Sequence, residues 1–254
     1  MLLQGKKGLV LNVTNKNSIG WGIAQALAEH GADVGVGAQN ERMLESVQKL
    51  IGDDSRFSAF QVDFSEEGQL VQLARDAAAV YGSIDFLVHS AAFAPREDLA
   101  GRFIETSREG FGVAMDVSCY SLINLCKHLE PIMSDDASVM ALSYLGSLRA
   151  VPGYNVMGVA KAALEASVRY LAVDLGQRGI RVNTLSPGPV NTVAARGVPG
   201  LLEKIEHVFK NSPLRRTFGQ AEVGNSAVYL ASDLSKTVTG QIIFIDSGYS
   251  FVAL

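Results

Sequence analysis

The sequence predicts an α/β protein built as a doubly wound parallel sheet of about seven strands, with helices on both faces. Three observations carry this expectation. Apolar or β-branched runs of strand length recur along all 254 residues. They alternate with helical patterns of about ten residues or more. Most of the runs are apolar throughout, as expected for strands covered on both faces and joined by right-handed crossovers.

Taken in order, the first strand is GLVLNV, Gly8 to Val13, and the next helix is marked by Ile19, Ile23 and Leu27, with Asn17 or Ser18 as N-cap and Gly31 as its close. Strand two, Asp33 to Ala38, leads into a helix over Glu41 to Leu50. Strand three, Phe57 to Val62, leads into Glu67 to Tyr81, and strand four is Ile84 to His89. One long helix is expected over Arg108 to Met133. Strand five, Ser138 to Ser143, precedes a helix over Asn155 to Gln177, and strand six is Ile180 to Ser186. Helices over Leu201 to Lys210 and Gln220 to Ala231 precede strand seven, Gln241 to Asp246. No proline-rich or low-complexity linker divides the chain, so one domain over residues 1–254 is expected. The long interruption at 192–212, between strands six and seven, is a candidate substrate lid, because ligands of such folds bind at the carboxyl ends of the strands.

Composition narrows the function. Hydrophobic residues make up 48% and charged ones 19%, enough apolar surface for a large core and too little charge for a disordered chain. A formal charge of −4 gives no broad basic footprint, so no nucleic-acid partner is expected. No uncharged stretch reaches the ~18 residues of a membrane span, and MLLQGKKGLV lacks the features of a signal peptide. No membrane association and a cytoplasmic location are the expectations. Cys119 and Cys126 are too few and too far apart for a bridge or a metal site, so buried reduced thiols are expected. The 25 glycines form neither a short repeat nor a linker; they punctuate.

After strand one the chain reads Asn12-Val-Thr-Asn-Lys-Asn-Ser18-Ile19-Gly20-Trp21-Gly22, then the helix. Backbone N–H groups at a helix N-terminus suit a pyrophosphate, so this is where a dinucleotide belongs in a Rossmann-type sheet. The G-x-G-x-x-G fingerprint is absent: Asn12 holds the first turn position, where Asn tolerates positive φ. Taken alone, Gly20 and Gly22 are a weak signal, with plain helix-to-strand packing as the alternative reading. Strand two ends Ala38-Gln39-Asn40 with no acid, leaving Gln39 for the ribose 2′-hydroxyl. Arg42, beside Glu41 in a helix, reads as solvent-facing rather than as a 2′-phosphate ligand. NADH is therefore favoured, with NADPH the alternative. Asp63 suits either an adenine amino group or a local cap.

The segment from Leu142 to Lys161 runs from strand five into a helix and carries Tyr144, Tyr154 and Lys161. A reductase needs a hydrogen-bond donor where negative charge develops and a cation nearby. Seven residues on a 3.6-residue helix bring Tyr154 and Lys161 within about 20° of one azimuth, and a nearby cation lowers a tyrosine pKa. A four-residue step back from Lys161 meets Met157, which cannot donate.

With these residues the chain resembles the bacterial enoyl-acyl carrier protein reductases, the divergent branch of the short-chain dehydrogenase/reductase superfamily. The marks are Tyr-x6-Lys in place of the superfamily's usual Tyr-x3-Lys, Ser143-Tyr144, Tyr154-Asn-Val-Met-Gly158, Ser18-Ile-Gly-Trp-Gly22, Val88-His-Ser-Ala-Ala-Phe-Ala-Pro95, Arg181-Val-Asn183, Gly188-Pro-Val-Asn-Thr192 and Pro213-Leu-Arg-Arg216. The resemblance implies hydride reduction of the trans-2 double bond of an acyl thioester on acyl carrier protein, closing the elongation cycle of type II fatty acid synthesis. It implies that Tyr154 binds the enolate oxygen, that Lys161 binds the nicotinamide ribose, and that Tyr144 lies near the acyl chain. It further implies cofactor contacts from Asn12, Ser18, Ile19, Gln39, Asp63, Phe64, Ala91, Lys161, Val190, Asn191, Thr192, Val193 and Ala194, a substrate contact at Ala94, and a homotetramer. Departures are Asn12 for a glycine, Ala91 for a commoner Ile or Leu, and Pro187 for a commoner Ala.

In the lid, Val193, Ala194, Ala195, Val198, Leu201, Leu202, Ile205 and Val208 could wall an acyl chain, or simply pack a helix. Arg196, Lys204, Lys210, Arg215 and Arg216 could steer an acidic carrier protein, or be solvated charge. Rival readings are a related reductase on a ketone or specialised enoyl substrate, and a dinucleotide-binding scaffold without catalysis.

Overall fold

The strands β1 (Lys7–Leu11), β2 (Asp33–Ala38), β3 (Phe57–Gln61), β4 (Ile84–His89), β5 (Met133–Leu142), β6 (Arg181–Pro187) and β7 (Ile242–Ile245) form one sheet in the order β3-β2-β1-β4-β5-β6-β7. Every neighbouring pair is parallel. This computed structural model describes residues 1–192, 195 and 200–252. The strand order reverses between β1 and β4, the switch point whose carboxyl-end crevice binds ligands in open α/β sheets.

The helices are α1 (Ile19–Glu29), α2 (Glu41–Ile51), α3 (Glu67–Tyr81), α4 (Arg96–Leu99), α5 (Arg108–Met115), α6 (Ser121–Leu129), α7 (Asn155–Leu175), α8 (Leu201–Asn211) and α9 (Gln220–Ala231). Period-two alternation in β1 divides the core: Leu9 and Leu11 face the layer of α3, α6 and α7, while Val10 faces that of α1 and α9. Each such fully buried aliphatic side chain contributes roughly 1.5–3 kcal/mol. Cys119 and Cys126 are free and buried, and burial pushes the Cys126 thiol up to about 12. Among the described residues no helix is long and apolar enough to cross a membrane.

The long helix expected over Arg108 to Met133 is continuous in helical backbone from Arg108 to Leu129, but its winding changes twice. A π-helical turn at Asp116–Tyr120 separates α5 from α6, and a 3-10 turn at Glu130–Ile132 precedes β5. In the π turn Ser118 points inward, its hydroxyl accepting from the Phe93 amide at 3.0 Å; at the 3-10 turn, Pro131 cannot continue an α-helix. β5 starts at Met133 rather than Ser138 because a register shift lets Met133 pair with Ile84 before Ser138 pairs with Phe86. The intervening Ser134-Asp135-Asp136 hides that strand from an apolar reading.

Helices α1 and α9 cross where Gly22 meets Gly224. A Cβ on Gly22 would collide with Gln220, and one on Gly224 would sit 2.8 Å from the Gly22 carbonyl oxygen. Packing therefore accounts for Gly22. Gln220 also ties down the turn before α1, donating to the Ser18 carbonyl at 2.9 Å.

Candidate active site

Four strand ends, those of β1, β4, β5 and β6, open into a cavity of about 440 Å³. On its first wall Asn12 adopts φ 65°, and its side-chain amide donates to the Ser90 carbonyl at 3.3 Å. The side chain is thus drawn across to the loop after β4. Ser90 returns a bond to the Leu11 carbonyl at 2.6 Å, stitching the two strand ends together. Ser18 caps α1: its hydroxyl donates to the Asn15 carbonyl at 2.8 Å and accepts from the Trp21 amide at 3.3 Å. Ser18, Ile19 and Gly20 line the cavity, so the first turn of α1 is directed at it, an arrangement that favours an anion.

Of the remaining expected cofactor residues, Ala91, Val190 and Thr192 also line the cavity, whereas Gln39, Asp63, Phe64 and Asn191 do not. Gln39 donates to Asp63 at 3.1 Å, joining the tip of β2 to the turn after β3. The other Asp63 oxygen accepts from the Ser65 amide and hydroxyl at 3.0 and 2.7 Å. Burial raises the Asp63 carboxyl, but these hydrogen bonds outweigh it and hold the group below the usual carboxylate range. Asp63 thus caps the turn after β3 and also meets Gln39. Phe64 stacks on His89 with ring centroids 5.7 Å apart. Val193 and Ala194 lie outside the described residues, as do Arg196 and Val198. Arg42 is exposed, as its sequence position suggested.

The reactive wall is built by α7 and the loop before it. Tyr154 sits directly before the first residue of α7 and Lys161 two turns along it. Lys161 is 3% exposed and donates to the Leu142 and Ala91 carbonyls at 2.6 and 3.3 Å. Burial lowers its ammonium to about 8. Tyr144 and Tyr154 meet edge to face with ring centroids 4.9 Å apart. The Tyr154 phenol is pushed above its ordinary range by burial, with Tyr144 and Glu165 adding to the shift, and burial brings Tyr144 up to about 12. A lowering of Tyr154 by Lys161, expected from their spacing, is not what the structure gives, because burial dominates. Tyr154 is a neutral donor.

Two glycines set the tyrosine pair. A Cβ on Gly146 would come within 2.5 Å of the Tyr154 ring, and one on Gly158 would lie 2.7 Å from the Gly146 carbonyl oxygen. The second contact is with backbone and cannot be relieved by a rotamer change. We expect Gly158→Ala to cost about 1–3 kcal/mol in denaturant unfolding and to lower turnover by moving the Tyr144 loop off α7. Wild-type stability and turnover in that variant would remove this account.

The apolar end holds Ala94, packed with Ala114, Val156, Met157 and Ala160. Leu201 and Lys204 of α8 line the cavity beside it, as does Ala195. Leu202 is exposed, Ile205 half-buried and Val208 buried, so the apolar residues of α8 are divided between the interior and the surface. Lys210 is paired with Glu206 at 2.7 Å, and Arg215 and Arg216 are exposed.

Several residues escaped the sequence reading. Asn155 donates to the Leu99 and Gly101 carbonyls at 3.1 and 3.3 Å, holding Leu99 of the cavity wall beside Tyr154. His89, completely buried, bonds to Ser121 at 2.7 Å, and burial together with the Lys161 charge lowers it to about 3, so it stays neutral. Glu165 is 4% exposed and accepts from the Ser143 and Ser147 hydroxyls at 2.5 and 2.7 Å. The Asn155 signal was its place next to Tyr154. Nothing in its place one turn past Lys161 marks Glu165 as buried.

Comparison with known proteins gives a consistent result. A family model described as enoyl-(acyl carrier protein) reductase matches residues 13–250. The chain is 46% identical over 260 residues to the NADH enoyl-acyl-carrier-protein reductase FabI of Nostoc, with 99% of each chain covered. It is 44% identical over 253 residues to NADH enoyl-acyl-carrier-protein reductase 1 of Rhizobium meliloti, covering 100% of this chain and 93% of that one. The crystal structure of the Bacillus cereus enoyl-acyl carrier protein reductase with NADP+ and indole naphthyridinone superimposes with a TM-score of 0.97 at 42% identity, covering 100% of this chain and 99% of that one.

Proposed function

The chain belongs to the enoyl-acyl carrier protein reductase family, and from that premise we propose how its residues divide the work. The reaction is reduction of the trans-2 double bond of an enoyl thioester on acyl carrier protein, the final step of the type II fatty acid elongation cycle. The cofactor is NADH, which supplies the hydride that reaches the β carbon and leaves an enolate at the thioester oxygen.

The observation that carries the assignment of roles is the meeting of Tyr154, Tyr144 and Lys161 in one cavity with the N-terminus of α1. The residues suit the dinucleotide: the first turn of α1 offers N–H groups to a pyrophosphate, and the Lys161 ammonium has no carboxylate in ion-pair contact among the described residues. Asn12, Ser18 and Ile19 would hold the pyrophosphate end. Gln39, Asp63 and Phe64 would hold the adenosine, and Ala91, Val190, Asn191, Thr192, Val193 and Ala194 the nicotinamide half. Tyr154, kept neutral by burial, donates its proton in a hydrogen bond to the enolate oxygen, where such a donor lowers the barrier. Lys161 binds the nicotinamide ribose and adds positive charge. The Tyr144 ring, set by its contact with Tyr154, bounds the acyl chain together with Ala94.

The test is spectrophotometric: crotonyl and longer enoyl thioesters are supplied with NADH or NADPH. NADH oxidation dependent on the thioester is expected. Tight NADH binding with no oxidation would overturn the reading in favour of a scaffold.

The same proposal treats residues 1–254 as one reductase domain with 192–212 as its lid, assembled as a homotetramer in the cytoplasm. Lys204, with Lys210, Arg215 and Arg216, steers the acidic carrier protein to the cavity mouth. Lys204→Glu is expected to lower kcat/KM for the carrier-linked substrate several-fold at low salt and to flatten its salt dependence. An unchanged rate and salt slope would remove the steering role.

A further inference from the structure

The most buried carboxylate near the reactive wall has no part in the roles given above. Glu165 lies on α7 one turn beyond Lys161, is 4% exposed, and takes two hydroxyl hydrogen bonds on one oxygen, from Ser143 at 2.5 Å and Ser147 at 2.7 Å. Those serines bracket Tyr144. Ser143 directly follows Leu142, whose carbonyl accepts from Lys161 at 2.6 Å. Ser147 closes the turn whose Gly146 touches both the Tyr154 ring and the position of a Gly158 Cβ. A buried carboxylate is costly unless paired or hydrogen-bonded, so its two donors are tied to it as firmly as it is to them.

We propose that Glu165 is a positioning residue for the reduction: its carboxylate clamps the Ser143 to Ser147 loop onto α7 and supplies the negative field that keeps Lys161 a cation beside the cofactor. This deepens the roles proposed for Tyr154 and Lys161 and rests on them.

The groups facing Lys161 from the surrounding elements are few. His89 on β4 is neutral. Cys119, on the turn between α5 and α6, contacts Ser167 at 3.4 Å. Tyr144 and Tyr154 share the cavity and are neutral phenols at physiological pH. Of these neighbours Glu165 alone is a carboxylate. Burial already brings Lys161 down to about 8; the neighbouring Cys119 and, after it, Glu165 oppose that fall. Without the carboxylate the lysine would lose its proton nearer neutrality.

The experiment follows NADH binding by fluorescence and kcat/KM for a crotonyl thioester across pH 6 to about 9.5, a range that spans the lysine's lowered pKa. Three variants are used. Glu165→Gln keeps an acceptor for both serines but no charge; Glu165→Met keeps the volume with neither; Glu165→Asp keeps the charge on a shorter arm. In Gln, and in Met, the alkaline loss of NADH affinity and of kcat/KM is expected to begin roughly one pH unit earlier than in wild type, the size of shift that one opposite charge produces. In Asp the limb should stay where wild type has it, while turnover at neutral pH falls because the shorter arm cannot reach both hydroxyls. Either neutral variant suffices if the other does not fold. Limbs that superimpose on wild type in a folded neutral variant, or that move as far in Asp, would overturn the proposal. Absence of thioester-dependent NADH oxidation in the wild-type protein would instead overturn the functional reading on which it rests.

Discussion

Tyr154→Phe is expected to lower kcat for a crotonyl thioester about 10²-fold, the usual worth of one positioned donor to a developing oxyanion, while NADH binding changes less than about twofold. The separation follows from the geometry. The ring of Tyr154 packs against Tyr144 and the Gly146 turn, and phenylalanine keeps that packing; only the hydroxyl is lost. Because burial holds the phenol far above neutrality, the role proposed for it is to donate a hydrogen bond, not to act as tyrosinate, so wild-type kcat should show no acidic or basic limb assignable to Tyr154 between pH 6 and about 9. Stopped-flow single-turnover kinetics separates this from product release. A full-rate Phe variant would shift the oxyanion role to another donor, with Tyr144 the neighbour on hand.

Much of this arrangement was legible in the sequence. The alternation of apolar runs with helical patterns made the sheet readable, since each run had strand length and the first helix carried both a cap and a glycine stop. The Tyr154 and Lys161 spacing pointed to one helix face. Legibility failed where a residue's meaning depends on distant chain. Glu165 follows Lys161 by four residues and so reads as a solvent-exposed pair; it is buried because Ser143 and Ser147 reach it from the preceding loop. Gly22 was open to a phosphate or a packing reading, and the helix it packs on, with Gly224, comes some two hundred residues later in the chain. Asn12 was legible as an exception, and only the structure shows its amide turned to Ser90. Polar Ser134 to Asp136 concealed the start of β5, because a strand that begins with a bulge has no alternation to read.

Lys161→Met carries the largest expected effect and should separate activity from stability most sharply. The change keeps the volume and removes the charge. On the functional side we expect kcat/KM to fall by about 10² or more, as the cation that favours the enolate is lost, and NADH affinity to weaken. Stability should respond differently. Burial brings the ammonium from 10.5 to about 8, so carrying the charge in the folded protein at neutral pH costs on the order of 3 kcal/mol. Methionine relieves that cost but leaves the Leu142 and Ala91 carbonyls without their donor, at about 1–3 kcal/mol each. The two effects nearly offset, and the variant should melt close to wild type. Linkage supplies a second signature. Below about pH 8 Lys161 is protonated in both folded and unfolded states, so it adds no pH dependence there. Between about pH 8 and 10.5 the unfolded state binds the extra proton, and the wild-type protein must gain stability relative to the variant as pH rises. Denaturant midpoints of the two proteins at pH 7, 8, 9 and about 10 measure that difference directly. A difference that is flat over this range would mean that Lys161 titrates normally and that its two carbonyl contacts do not bury the charge.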